Sequence, residues 1–142
     1  MVGKKLIGNI KQYLETLLEV PVVLFDGNQT NTYPCVILGI DNEEQHPVLD
    51  GNYSVDIWAA VKVNGNDDNA TETSEGLLQD LKEKLFIESI YSTLNKPLTG
   101  TDARAYKDIT LEALYFKGNA TEQGDDSTVS LMNIETFLAN TD

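Results

Sequence analysis

Asn52-Tyr53-Ser54-Val55-Asp56-Ile57-Trp58-Ala59-Ala60-Val61 alternates without a break: Tyr53, Val55, Ile57, Ala59 and Val61 fall on one side of an extended chain, Ser54, Asp56, Trp58 and Ala60 on the other. Alternation of this length specifies a strand with one face toward a core. The first set is therefore expected to meet helices. Upstream, Tyr33-Pro34-Cys35-Val36-Ile37-Leu38-Gly39 is almost wholly apolar, the composition of a strand covered on both faces. Pro34 stands at its start, where a missing backbone donor is tolerated. These two strands are expected over about residues 33–41 and 53–61, with Asn42 to Gly51 as an acidic loop between them.

Helical periodicity lies on either side of the pair. Leu6, Ile7, Ile10, Leu14, Leu17 and Leu18 recur on one face of a helix expected over about residues 3–19, and Pro21 stops it. Val22 to Phe25 can form a short strand before the turn chemistry of Asp26-Gly27-Asn28. Beyond the Asn- and Asp-rich turn from Asn64 to Asn69, Asn69 is the expected N-cap of a second helix, with Glu72 three residues on and Leu77, Leu78, Leu81 and Leu85 as its buried stripe. Ile87 to Leu94 can add a further turn or short helix. A polar connection, Asn95 to Lys107, leads to two last strands, about Asp108 to Lys117 and Thr128 to Leu138, with Gly118 to Ser127 as the turn.

Two hairpins joined through a helix predict an α+β fold in one domain spanning residues 1–142. It is a single mostly antiparallel sheet of four to five strands with two α-helices packed on one face, in the order α-β-β-β-α-β-β. The other face then needs an explanation. Trp58, Leu114, Phe116, Leu131 and Phe137 stand at alternating positions and cannot all point to the helices. A subunit interface would account for some of them, with Trp58 and Asp56 as candidate contact residues.

A chain of 142 residues is one ordinary domain and buries roughly two-thirds of the surface it exposes when unfolded. Its single cysteine, Cys35, excludes an internal disulfide and reads as a small buried hydrophobe. No stretch reaches the ~20 apolar residues of a membrane span, and the opening segment is amphipathic rather than a signal core, so a cytosolic chain without a membrane partner is expected. Twenty-three acidic against ten basic side chains leave a formal charge of -13, with a single Arg and scattered Lys. Tight binding of a nucleic-acid backbone needs clustered cations, so it is not expected.

Enzyme signatures are mostly missing, and a small hydrolase, whose only conceivable base is His46, is the last of the readings. His46, the only histidine, stands among Asp41, Glu43 and Glu44 without a nucleophile motif. Neither this cluster nor Asp67-Asp68-Asn69 has the ligand spacing of a known metal loop, and no glycine loop cradles phosphate. No catalytic, metal or cofactor residues are expected, and no cofactor.

Taken in order, Leu6 to Leu18, Tyr33 to Gly39, Asn42 to Gly51, Val55 to Trp58, Leu77 to Leu85 and Ile109 to Leu138 resemble the tail terminator and tail completion proteins of long-tailed bacteriophages over nearly the whole chain. Residues Ile87 to Lys107 depart from that pattern by their length. The resemblance implies a structural virion protein, not an enzyme. Its subunits form a ring, typically a hexamer, assembled in the host cytoplasm, that caps the tail tube and faces the head-tail connector proteins. DNA must pass the lumen without being held. An acidic wall repels phosphate, which makes Glu43, Glu44, Asp67 and Asp68 the candidate lumen residues, at one end of the sheet or the other. Two alternatives remain: another neck, head-completion or tail-tube component of the virion, and an acidic inhibitor that mimics DNA.

Overall fold

The computed structural model describes residues 2–25, 32–46, 52–95 and 109–140. Elements run in the order α1 (Val2–Glu15), β1 (Val22–Leu24), β2 (Cys35–His46), β3 (Asn52–Asn64), α2 (Asp68–Leu85), α3 (Ser89–Asn95), β4 (Ile109–Gln123) and β5 (Ser127–Asn140). The five strands form one mixed sheet ordered β1-β2-β3-β5-β4. Only the β1–β2 pair is parallel; the others are antiparallel. The α+β class and the order of strands and main helices are as the sequence predicts, with α3 as a separate third helix.

One face of the sheet carries the core. Val55, Ile57, Ala59, Val61 and Val63 of β3 are buried with Leu6, Ile10 and Leu14 of α1 and Leu78, Leu81 and Leu85 of α2. Leu94 and Ile90 of α3 join them. Helical stripes at i, i+3 and i+4 spacing thus meet a strand face of period two, and this match fixes which side of β3 turns inward. Tyr13 reaches across the helix layer and donates its hydroxyl to the Lys84 carbonyl at 2.7 Å.

β5 adds a polar row to this same covered face. Thr128, Ser130 and Thr136 are fully buried, and each hydroxyl is satisfied. Thr128 donates to the Gly65 carbonyl at 2.9 Å and Thr136 to that of Val55 at 2.9 Å. Ser130 shares 2.8 Å hydrogen bonds with Ser74 of α2 and Thr121 of β4. Buried hydroxyls with partners cost little; Ser130 ties α2 to the sheet through Ser74, while Thr128 and Thr136 bond carbonyls of Gly65 and Val55.

Several expected boundaries shift. The first half of the acidic loop is strand: β2 continues through His46, which pairs with Asn52, because a hairpin ladder satisfies backbone groups whatever the side chains are; residues 47–51 lie outside the described residues. A bulge between Ile40 and Asn42 admits Asp41 as the extra residue. The expected Gly118–Ser127 turn is likewise mostly ladder, leaving Gly124 to Asp126 to reverse the chain. α1 ends regularly at Glu15, with Leu17 and Leu18 carried on by bonds back to Leu14. The expected connection from residue 96 onward and the Asp26 turn lie outside the described residues.

Candidate functional site

The register turns the open face of the sheet, opposite the helices, into a grid. One row across β2, β3, β5 and β4 is Ile37, Ala60, Leu131, Ala120; the next is Gly39, Trp58, Asn133, Gly118; then Asn42, Asp56, Glu135, Tyr115; then Glu44, Ser54, Phe137, Ala113. Trp58 therefore stands on the face away from α1 and α2, while Val55 and Ile57 are in the core and Tyr53 packs against it. Of the five apolar residues that the sequence left divided between faces, Trp58, Leu131 and Phe137 belong to the open face. Leu114 is buried in the core, and Phe116 meets Phe86 edge-on at 6.1 Å under the Lys82 ammonium.

Trp58 occupies a site made by a glycine. A Cβ added to Gly39, its cross-strand partner, would fall 2.3 Å from two indole ring carbons. The indole thus lies directly against the Gly39 backbone, a close approach that any side chain at 39 would block. Phe25 closes one side of it edge-to-face at 5.4 Å. At this end even the open face is partly an interior: Cys35 and Ala60 are buried, and burial pushes the Cys35 thiol up, with Lys62 pulling weakly the other way. A second aromatic pair, Tyr115 and Phe137 at 5.8 Å, stands toward the β4 edge. Phe25 is 55% exposed and Tyr115 54%.

Between these pairs lies a hollow of about 220 Å³ lined by Asp41, Asp56, Lys117, Asn133 and Glu135. Asp56 and Glu135 are direct cross-strand partners. Two of the three bulges among the described strands open here, because Asp41 and Lys117 are the extra residues between Ile40/Asn42 and Phe116/Gly118; the third lies between Leu111 and Ala113. Lys117 lies 3.9 Å from Glu135. No group of three His, Cys, Asp or Glu side chains among the described residues is arranged to hold a metal ion. No helix among them is long and apolar enough to cross a membrane.

The four candidate lumen carboxylates are not equivalent. Glu43 and Glu44 lie on β2, not in a loop, and their alternation sends them to opposite sides. Glu43 accepts the Gly3 N–H on the helix side, so it supplies the negative charge that the first turn of α1 lacks. Glu44 belongs to the open face. At the other end, Asp67, not Asn69, is the N-cap of α2: its carboxylate accepts the Ala70 N–H at 2.9 Å. Its extended backbone permits that geometry, whereas Asn69 is already inside the first turn. Glu44 and Asp68 remain exposed.

Sequence reasoning missed two members of the second group. Asn66 donates to the carbonyls of Gly124 and Asp125 at 3.3 and 2.7 Å, and the Gly65 N–H donates to Asp126 at 2.9 Å. The β3–α2 connection and the β4–β5 turn are thereby fastened together, and Asp125 and Asp126 join Asp67 and Asp68 at one end of the sheet. The signal was the pair of Asp-Asp runs in Asn- and Gly-rich turns, but their meeting depends on β5 lying beside β3. No protein-family model and no curated protein matches this chain.

Proposed function

We propose that this chain is a ring-forming structural protein of a long-tailed bacteriophage virion, of the tail terminator or tail completion kind. Copies of it, six in a closed ring, would cap the tail tube and meet the connector proteins, with DNA passing through the lumen. One observation carries this: the open face of the sheet presents Phe25, Trp58, Tyr115, Phe137, Ile37 and Leu131 with no described element of the chain over it. Soluble monomers rarely leave so much apolar surface together, and cyclic association of one repeated patch is a common way to bury it.

The acidic end supports the lumen assignment. Asp67, Asp68, Asp125 and Asp126 converge there, while Glu43 is taken up by α1, so this end is the better choice for a wall that repels phosphate. A DNA mimic would instead need one continuous acidic face; here the candidate lumen carboxylates are divided between the two ends of β3, about 40 Å apart for its 13 residues. Between those ends, Asp41, Asp56 and Glu135 share the face with Lys117 and aromatic rings. Another neck or tail-tube component would share the ring and differ in its neighbours.

Native mass spectrometry of the free protein at rising concentration, with electron microscopy of intact tails, tests this reading. A closed ring at one level of the neck or tail is the expected outcome. A single copy per virion, or absence from virions altogether, would overturn it.

A further inference from the structure

We propose that a second copy of this chain covers the open face head-to-tail, seating Lys4 and Lys5 of its α1 against Asp56 and Glu135. This deepens the ring reading and rests on it. The apolar ground is the aromatic grid around Trp58. Within it Asp56 and Glu135 face each other as cross-strand partners, and like charges set opposite in a sheet destabilise it. Asp41 adds a third carboxylate to the same hollow, and Lys117 is the one cation among the described residues that line it. Three carboxylates against one ammonium leave this part of the face short of positive charge.

The helix layer carries the complement. Lys11 pairs with Glu15, Lys82 lies over the Phe116 ring, Lys62 over that of Tyr33, and Lys117 beside Glu135. Lys84 is half-buried at the groove between α1 and α2. Lys4 and Lys5 are adjacent and exposed, and no described side chain pairs with them. They sit in the first turn of α1, which contains no acidic residue, where the helix dipole disfavours cations. The negative charge at this turn comes from Glu43 of β2, which accepts the Gly3 N–H.

The hollow and the two lysines lie on opposite layers, so one molecule cannot bring them together. A two-fold packing of open face on open face through the hollow would set carboxylate against carboxylate. A heterologous contact sets lysine against carboxylate at every repeat, and such a contact closes into a ring when its rotation permits. Charge complementarity of this kind fixes register, while the aromatic grid supplies the buried area.

Two charge-reversed variants, Lys4→Glu/Lys5→Glu and Asp56→Lys/Glu135→Lys, and the variant combining all four changes test the pairing. Circular dichroism and thermal unfolding first establish that each monomer folds. Native mass spectrometry should then show that either reversal weakens association by about tenfold or more and that the combination restores much of it. As a control, Lys5→Cys and Asp56→Cys, each made in a Cys35→Ala background so that it carries one cysteine, should cross-link between copies when mixed, and neither should do so alone. Normal rings from both reversals, or cross-linking of Asp56→Cys with itself alone, would overturn the head-to-tail pairing and leave the ring standing. A wild-type chain that stays monomeric both free and on tails would overturn the ring reading and this contact with it.

Discussion

Gly39 and Trp58 make the sharpest test at the scale of single residues. With the indole against the residue 39 backbone, Gly39→Ala must displace a large ring or bend β2, and overpacking of this kind costs about 1–3 kcal/mol. Urea unfolding should show that loss. The double variant Gly39→Ala/Trp58→Ala should lose less than the sum of the two single changes, because both act on one contact. Independent, additive losses would mean that the ring does not rest on Gly39. Cys35 gives a pH-dependent test. Its buried thiol has a raised pKa, so above about pH 8.5, where an unfolded thiol ionises, the unfolded chain releases a proton that the folded chain keeps. Stability therefore falls as pH rises through that value, and Cys35→Ala should remove this part of the slope. A thiol reagent at pH 8 should label Cys35 only as fast as the protein opens; immediate labelling of the native chain would contradict its burial.

At the scale of elements, α2 depends on its cap and tolerates change on its outer face. Asp67→Ala should cost about 1 kcal/mol by leaving the Ala70 N–H without its acceptor, whereas Asp67→Asn, which keeps the oxygen and removes the charge, should cost much less. Gly76 has nothing within 4 Å of an added Cβ, and Gly76→Ala should stabilise the helix by up to about 1 kcal/mol. Thermal melts of the three variants decide both points. The elements also show where the sequence was readable. The inward face of β3 followed from its alternation, because a buried side demands apolar residues at every second position. The ends of β2 and β4 did not follow: Asn42 to His46 and Gly118 to Gln123 are polar, and a ladder running beyond the covered core leaves no hydrophobic period to detect. The buried hydroxyl row of β5 misleads for the converse reason. Thr128, Ser130 and Thr136 look like a solvent face until α2 and the neighbouring strands supply their partners. Trp58 and Asp56 could be assigned to the open face from sequence, but Glu135, Lys117 and Asp41 could not, since their approach depends on strand order and two bulges.

At the scale of the whole molecule the deciding quantity is the charge of -13 and how it is distributed. If the end of the sheet bearing Asp67, Asp68, Asp125 and Asp126 lines the lumen, a ring sets that group around the DNA path once per subunit. Repulsion from many carboxylates, screened over about 8 Å at physiological salt, is then a property of the ring and not of one residue. Asp67 must be left in place, because it holds α2, so the informative change is Asp68→Lys with Asp125→Lys, set against Glu44→Lys at the opposite end. The first should give rings that retard duplex DNA in gel shift at low salt and virions that eject their genome slowly, both effects fading as salt rises. Glu44→Lys should leave DNA binding and ejection close to wild type. If the two sets exchange these outcomes, the ring faces the other way round. If neither alters DNA binding or ejection while assembly proceeds normally, the surplus of carboxylates keeps an acidic subunit soluble and has no part in the passage of DNA.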